Sequence, residues 1–247
     1  MKAVIMAGGL GTRLRPLTDK MPKPMVPILG RPAMEYALLL LKAHGITDIA
    51  ATLCYYPDLI KEYFGDGSRF GVNLRYFVET EPLGTAGSVK QAKDFLDDTF
   101  FVISGDGITD INLTEVANQH QASGAKASMA LTTVEDPTQF GIVITDESDK
   151  IVRFIEKPKQ DEVFSNTINT GIYVLEPEIF QYIPDGFYDF SKNLFPKLME
   201  KNVPFYGFKS DGYWKDIGTL EQYRQVQIDL ENGQLVDYYS GTQTTAS

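Results

Sequence analysis

Apolar and polar residues alternate in blocks along this chain of 247 residues. An apolar run, Ala3-Val4-Ile5-Met6-Ala7, has the composition of a buried strand and stops at glycine. Pro32 opens the next apolar block and Gly45 closes it, the proline-early, glycine-late signature of a helix. Residues 46–54 read as a strand, 58–64 as a short helix stopped by Gly65-Asp66-Gly67, and 73–79 as a strand. Residues 85–97 read as an amphipathic helix and 99–104 as a buried strand. This alternation predicts an α/β fold on a doubly wound, mostly parallel sheet, which binds ligands beyond the carboxyl ends of its strands. In the second half, 126–134, 140–145, 151–156 and 168–175 read as strands, and 190–201 and 219–232 as helices. No Pro/Gly/Ser-rich linker separates the halves, so the later strands are expected to extend the same sheet. No internal repeat is visible, and no hexapeptide repeat of a left-handed β-helix.

The first strand runs into Gly8-Gly9-Leu10-Gly11-Thr12-Arg13-Leu14-Arg15-Pro16, followed by Pro22-Lys23-Pro24. Glycines let backbone N–H groups close on an anion, and Arg13, Arg15 and Lys23 add fixed positive charge. Residues 1–31 hold Lys2, Arg13, Arg15, Lys20, Lys23 and Arg31 against the single acid Asp19, whereas the whole chain carries a net −10. An acidic chain with its cations gathered in one loop suits a small polyanion such as a triphosphate; nucleic acid needs a broad basic face. The plainer alternative is a solvated surface loop. The dinucleotide fingerprint fails, because its sixth position is Leu14 and Pro16 blocks an immediate helix start. A P-loop also fails, since neither Gly8 nor Gly9 is followed at the right distance by Gly-Lys-Ser/Thr.

Composition narrows the classes further. A hydrophobic content of 43% suffices for a sizeable core, and one cysteine, Cys54, excludes an internal disulfide and fits a reducing, cytoplasmic setting. The N-terminal apolar run is shorter than a signal-peptide core, and no stretch approaches a membrane span. With only His44 and His120, neither a zinc cage nor a histidine-based triad is expected; His44 reads as a helix end before its glycine cap, His120 as structural or exposed.

The glycine loop with Pro22-Lys23-Pro24 resembles the signature of sugar-1-phosphate nucleotidylyltransferases, and the likeness continues to the segment after Tyr223. Phe140-Gly141-Ile142-Val143, Asn169-Thr170-Gly171-Ile172-Tyr173 and Gly212-Tyr213-Trp214-Lys215-Asp216-Ile217-Gly218 look most like the mannose-1-phosphate guanylyltransferase branch. The resemblance implies a Rossmann-like catalytic domain over 1–233, with a nucleotide part to about 110 and a sugar-phosphate part from about 111, then a polar tail, 234–247. It implies Mg²⁺-assisted in-line attack by a sugar 1-phosphate on the α-phosphorus of a nucleoside triphosphate, with no covalent intermediate. No nucleic-acid or membrane partner is implied, and a homo-oligomer is left open.

Residue roles carry over motif by motif. Asp106, in Ser104-Gly105-Asp106-Gly107 at the end of an apolar strand, and Asp216 are the implied Mg²⁺ ligands; the alternatives are a turn aspartate and a helix N-cap. Arg13 is the expected neutraliser of developing phosphate charge and Lys23 the α-phosphate contact, with Ala7, Gly8, Gly9, Gly11 and Thr12 around the nucleotide. Glu156-Lys157-Pro158 matches the family's Glu-Lys-Pro motif, so Lys157 is implied to bind the sugar phosphate and Glu156 the hydroxyls, beside Gly141, Asn169, Thr170 and Gly171. Asp110 reads as structural and Trp214 as core. Gly107 departs from the larger residue common after this aspartate.

The stretch Glu79-Thr80-Glu81-Pro82-Leu83-Gly84-Thr85-Ala86-Gly87 resembles the family's nucleotide-base segment, which implies Leu83 and Gly84 against the base. An ionised carboxylate only accepts hydrogen bonds. Guanine offers adjacent N1–H and N2–H donors to Glu79 or Glu81, whereas a uracil or thymine edge sets one donor among carbonyl acceptors. GTP with mannose 1-phosphate is the expected pair. A uridylyl- or thymidylyltransferase using glucose 1-phosphate stays open, as does a non-catalytic paralogue that binds nucleotide sugar.

Overall fold

The computed structural model describes residues 1–235. The parallel half of the sheet is built from β1 (Lys2–Met6), β4 (Asp48–Leu53), β5 (Asn73–Val78) and β6 (Phe100–Ser104), numbered in a series in which β2 (Pro27–Ile28) and β3 (Arg31–Pro32) form a separate small ribbon. β7 (Gly107–Thr109) follows β6, and β8 (Ala127–Thr133), β9 (Gly141–Thr145), β10 (Ile151–Glu156), β11 (Thr167–Leu175), β12 (Phe205–Lys209) and β13 (Trp214–Asp216) come from the second half. The helices are α1 (Ala33–Ala43), α2 (Pro57–Phe64), α3 (Gly84–Lys90), α4 (Leu113–Ser123), α5 (Phe195–Glu200) and α6 (Leu220–Glu231). The main sheet has the order β10-β9-β11-β6-β1-β4-β5, with β8 on β11 and β12 on β8. β6-β1-β4-β5 are parallel, and β11 joins antiparallel to β6, so the second half does extend the same sheet.

Alternate residues of β1 explain the layering. Ala3 and Ile5 pack with Leu38 and Leu41 of α1 on one face, while Val4 packs with Val89 of α3 and Phe195 of α5 on the other. Each fully buried Val, Ile, Leu or Phe among these contributes about 1.5–3 kcal/mol of transfer free energy. Helices therefore cover both faces and leave the carboxyl ends of β1, β4 and β6 open. Among the described residues no helix is long and apolar enough to cross a membrane.

Some expectations need correction. The helix read over 85–97 is α-helical only to Lys90; beyond it, bonds such as Ala92 N–H to Val89 O (3.0 Å) and Phe95 N–H to Ala92 O (2.9 Å) reach back three residues. Val89, Ala92 and Phe95 are all buried, a spacing of three that suits a tighter turn. The helix read over 190–201 begins as a π-turn, Phe190–Leu194, capped by Asp189, before α5. Unforeseen β12 carries Gly207, where a Cβ would stand 2.7 Å from Leu131 Cδ1. His44 does cap α1 before Gly45, which has φ +74. His120 is buried, its Nδ1 2.7 Å from Ser128 Oγ. The tail expected from 234 lies, past Leu235, outside the described residues.

Candidate active site

The glycine loop leaves β1 at the open edge of the sheet and folds back on itself. Gly11 has φ +64, and a Cβ there would meet Lys23 Cβ and Thr18 Cγ2, each at 2.9 Å, so glycine is required for the loop to close on Lys23. Thr18 Oγ1 donates to Gly11 O at 2.7 Å and fixes that closure. Across the edge, Gly105 N–H donates to Met6 O at 2.9 Å and carries the chain from β6 to Asp106. Lys23 Nζ then pairs directly with Asp106 Oδ2, with both side chains largely shielded from solvent.

This ion pair stands where two compartments of one cleft meet. One, of about 400 Å³, is bounded by Gly8, Gly9, Glu79, Gly84 and Phe187; the other, of about 370 Å³, by Arg13, Glu156, Lys157, Asn169, Thr170 and Asp216, and both reach Lys23 and Asp106. Gly141 and Gly171 also lie in the second compartment. A Cβ on Gly141 would stand 2.9 Å from Glu156 Oε2, and one on Gly171 2.7 Å from Ser104 Oγ, so both glycines keep the wall thin.

The second carboxylate arrives by a long-range pairing. β13 runs antiparallel to β7 with Asp216 opposite Gly107, and Ile217 N–H donates to Asp106 O at 3.3 Å. Gly107 is therefore the strand partner of Asp216. Burial pushes the Asp216 carboxyl above its ordinary range and the Asp106 charge adds to this, with Lys23 and Arg13 opposing. Asp216 Oδ1 is buried and has no hydrogen-bond partner. A buried acceptor without a partner costs about 1–3 kcal/mol. Burial likewise raises the Glu156 carboxyl, opposed by Lys157. Lys157 itself has φ +47, a left-handed conformation costly for a side-chain-bearing residue.

Several expected residues support the cleft without lining it. Ala7 is buried and its N–H donates to Thr52 O at 2.9 Å; Gly11 shapes the loop, and Thr12 is exposed. Glu81 is exposed outside both compartments, and Leu83 lies behind Gly84, its N–H donating to Glu79 Oε2 at 3.0 Å. Asp110 is structural: Oδ1 accepts from Tyr213 N–H at 2.6 Å. Trp214 packs against the core as expected, and does more. It forms cleft wall and is only partly buried; Nε1–H donates to Thr170 O at 2.9 Å and the ring stands edge-on to Phe140 at 5.4 Å. Its indole N–H was the available signal, since it needs a partner that a purely apolar core lacks.

Sequence reasoning missed Gln139, whose Oε1 accepts from Arg13 Nη1 at 3.2 Å, and Asp189, which borders both compartments. It also missed the loop 184–189 beside α3. The turn-forming Pro184-Asp185-Gly186 before two aromatic residues was the only local sign.

Against the UTP–glucose-1-phosphate uridylyltransferase of Synechocystis sp. the chain is 43% identical over 241 residues, covering 92% of this chain and 62% of that protein. Against the mannose-1-phosphate guanyltransferase of Saccharomyces cerevisiae it is 39% identical over 229 residues, covering 90% and 63%. The chain thus spans about three fifths of the length of these curated relatives. Among solved structures, HddC from Yersinia pseudotuberculosis complexed with GMP-PN superposes with a TM-score of 0.80 at 28% identity, covering 93% of this chain and 99% of that one. The family profile described as nucleotidyl transferase matches residues 2–233, and this chain belongs to that family.

Proposed function

We propose that the chain transfers a nucleotidyl group from a nucleoside triphosphate to a sugar 1-phosphate and releases pyrophosphate. The observation that carries this reading is the Lys23–Asp106 pair at the junction of the two compartments, with Asp216 beside it. A triphosphate held by the glycine loop presents its α-phosphorus at that junction, and a sugar phosphate on Lys157 faces it from the other compartment. The sugar phosphate oxygen forms the new P–O bond while the bond to pyrophosphate breaks. Little proton transfer is needed, because the attacking oxygen is already ionised near neutral pH. The work of the residues is to overcome repulsion between two anions and align them. Lys23 neutralises the α-phosphate, Arg13 the leaving pyrophosphate, and Lys157 the nucleophile's own charge.

Asp106 and the unpaired Asp216 oxygen suit Mg²⁺, which keeps most of its waters and takes one or two carboxylates; when bound it neutralises phosphate oxygens. Among the described residues no group of three or more His, Cys, Asp or Glu side chains is placed for a metal.

For the substrate pair the reading is GTP and mannose 1-phosphate. The choice of base rests on Glu79 rather than Glu81, and the choice of sugar on the likeness to the mannose-1-phosphate guanylyltransferases. Glu79 Oε2 is engaged by Leu83 N–H, while Oε1 comes within 3.4 Å of a Cβ position on Gly8, inside the nucleotide compartment. That leaves one acceptor-only oxygen for guanine N–H donors. UTP with glucose 1-phosphate, the pair in the name of the Synechocystis relative, is the competing result. The test is pyrophosphate release with Mg²⁺ across GTP, UTP, dTTP, ATP and CTP against mannose 1-phosphate and glucose 1-phosphate. Activity confined to GTP and mannose 1-phosphate supports the full reading. A preference for UTP or dTTP keeps the reaction and removes the base argument. Silence from folded protein favours a non-catalytic nucleotide-sugar-binding role.

A further inference from the structure

Phe187 is the most exposed large apolar side chain among those described, at 65%, yet it borders the nucleotide compartment. The chain around it is held firmly. Tyr188 O accepts from Ala86 N–H and Gly87 N–H, each at 3.0 Å, and Tyr188 N–H donates to Leu83 O at 2.8 Å. Lys90 Nζ holds the entry to the loop, donating to Ile183 O at 2.6 Å and Asp185 Oδ1 at 2.8 Å. Phe190 N–H holds the exit, donating to Thr85 Oγ1 at 2.8 Å.

The docking also depends on two glycines. A Cβ on Gly87 would meet Gly186 O at 2.5 Å, and one on Gly84 would meet Tyr188 O at 2.7 Å and Phe187 Cε2 at 3.3 Å. The loop therefore lies directly on the start of α3 with backbone touching backbone. A ring on a mobile loop would find other apolar surface to cover. This one is fixed beside Gly84 in the wall of a cavity that also reaches Lys23 and Asp106. With phosphates at the cationic end, the heterocycle of a nucleotide falls at the end where Phe187 stands.

We infer that Phe187 is a stacking platform for the nucleobase, presented by the loop 184–189 and contributing affinity for any base, while Glu79 sets the choice among bases. The inference rests on the proposed nucleotide transfer and adds a binding residue to it. Base–aromatic stacking tolerates every base because each has a π-face, and a pre-anchored ring loses little freedom on binding.

The test is equilibrium binding of GTP, UTP and base-free ribose 5-triphosphate to the wild-type chain, Phe187→Ala and Phe187→Trp, with thermal melting of each. Phe187→Ala is expected to weaken GTP and UTP by roughly 5- to 150-fold, the span of measured stacking contributions, and to leave ribose 5-triphosphate within about twofold. Phe187→Trp restores binding, and the melting temperatures agree, since the ring is largely exposed. Wild-type binding of GTP or UTP with no loss in Phe187→Ala overturns the stacking role alone. Equal losses for the base-free triphosphate also overturn it. Failure of the wild-type chain to bind any triphosphate removes the nucleotide-transfer reading as well.

Discussion

Lys215 of β13 reaches across to Asp229 of α6, Nζ to Oδ2 at 2.6 Å, and the same carboxylate oxygen accepts from Tyr213 Oη at 2.9 Å. Gln225 Nε2 donates to the other oxygen at 2.7 Å, so a carboxylate only 3% exposed has three donors. Lys215 and Tyr213 flank the stretch that ends at Asp216, so α6 acts as the clamp that fixes β13 behind the cleft. Asp229→Asn keeps the shape and loses the charge; it is expected to cost about 1–3 kcal/mol of stability. In the proposed reaction it raises the Mg²⁺ concentration for half-maximal rate, whereas a purely structural role lowers the melting temperature and leaves that concentration unchanged.

The same carboxylate gives a pH prediction. Burial alone would raise it, but the bonds from Lys215, Gln225 and Tyr213 outweigh burial and hold it below its ordinary range. A depressed folded-state pKa means stability that is present above the unfolded carboxylate range and lost as pH falls through the folded value. Urea midpoints measured from neutral to acidic pH are expected to fall for the wild-type chain, and less steeply for Asp229→Asn.

Asp216 carries the opposite sign. Its carboxyl is raised by burial and one oxygen is unpaired, so its ionised form lowers stability at neutral pH. Asp216→Asn is expected to melt higher, by about 2–4 °C for each kcal/mol relieved. Its proposed pyrophosphate release falls by about 100-fold or more, the scale of losing a main electrostatic contact. A lower melting temperature would count against a carboxylate retained at the expense of stability.

Gly171 lines only the second compartment, the one proposed for the sugar 1-phosphate. Its φ of +78 and the 2.7 Å approach of a Cβ to Ser104 Oγ make alanine strained there, by about 1–2 kcal/mol for the backbone alone. Initial-rate kinetics of Gly171→Ala are expected to show a raised KM for the sugar 1-phosphate with the KM for the triphosphate unchanged. Equal changes in both would contradict the division of the cleft.

Base selection is open to direct reversal. Glu79→Gln replaces an acceptor with a group that both donates and accepts. The ratio of kcat/KM for GTP over UTP is expected to fall by roughly 10-fold or more, and a constant ratio would place base choice elsewhere.

The parallel half and the glycine loop were legible because their signals are local: buried runs such as 100–103 ending in Gly105-Asp106, and cations bracketed by glycine and proline. The pairing that brings Asp216 to Asp106 was not. β7 and β13 have three residues each, too few for any periodicity to register. The loop at 184–189 was silent for another reason, because backbone groups anchor it and leave no side-chain pattern. Size and apolarity rightly put Trp214 against the core, but its place in the cleft wall was hidden because its N–H bond to Thr170 O depends on an element far along the chain. Helix 85–97 was read too long because burial every third residue still looks amphipathic at 3.6 residues per turn.

The β7–β13 pairing also sets a sequence of events during synthesis. Asp110 and Tyr213, which fasten the two strands together, lie 103 residues apart. At ordinary elongation rates that separation is about 5–20 s, during which the glycine loop, Lys23 and Asp106 already exist on a nascent chain. A polypeptide at that stage has the glycine loop and half of its acidic pair. On the proposed reading, chemical competence is acquired late, after the strands that bear the first carboxylate have had time to form, and a chain interrupted before residue 214 lacks the second carboxylate that the transfer needs.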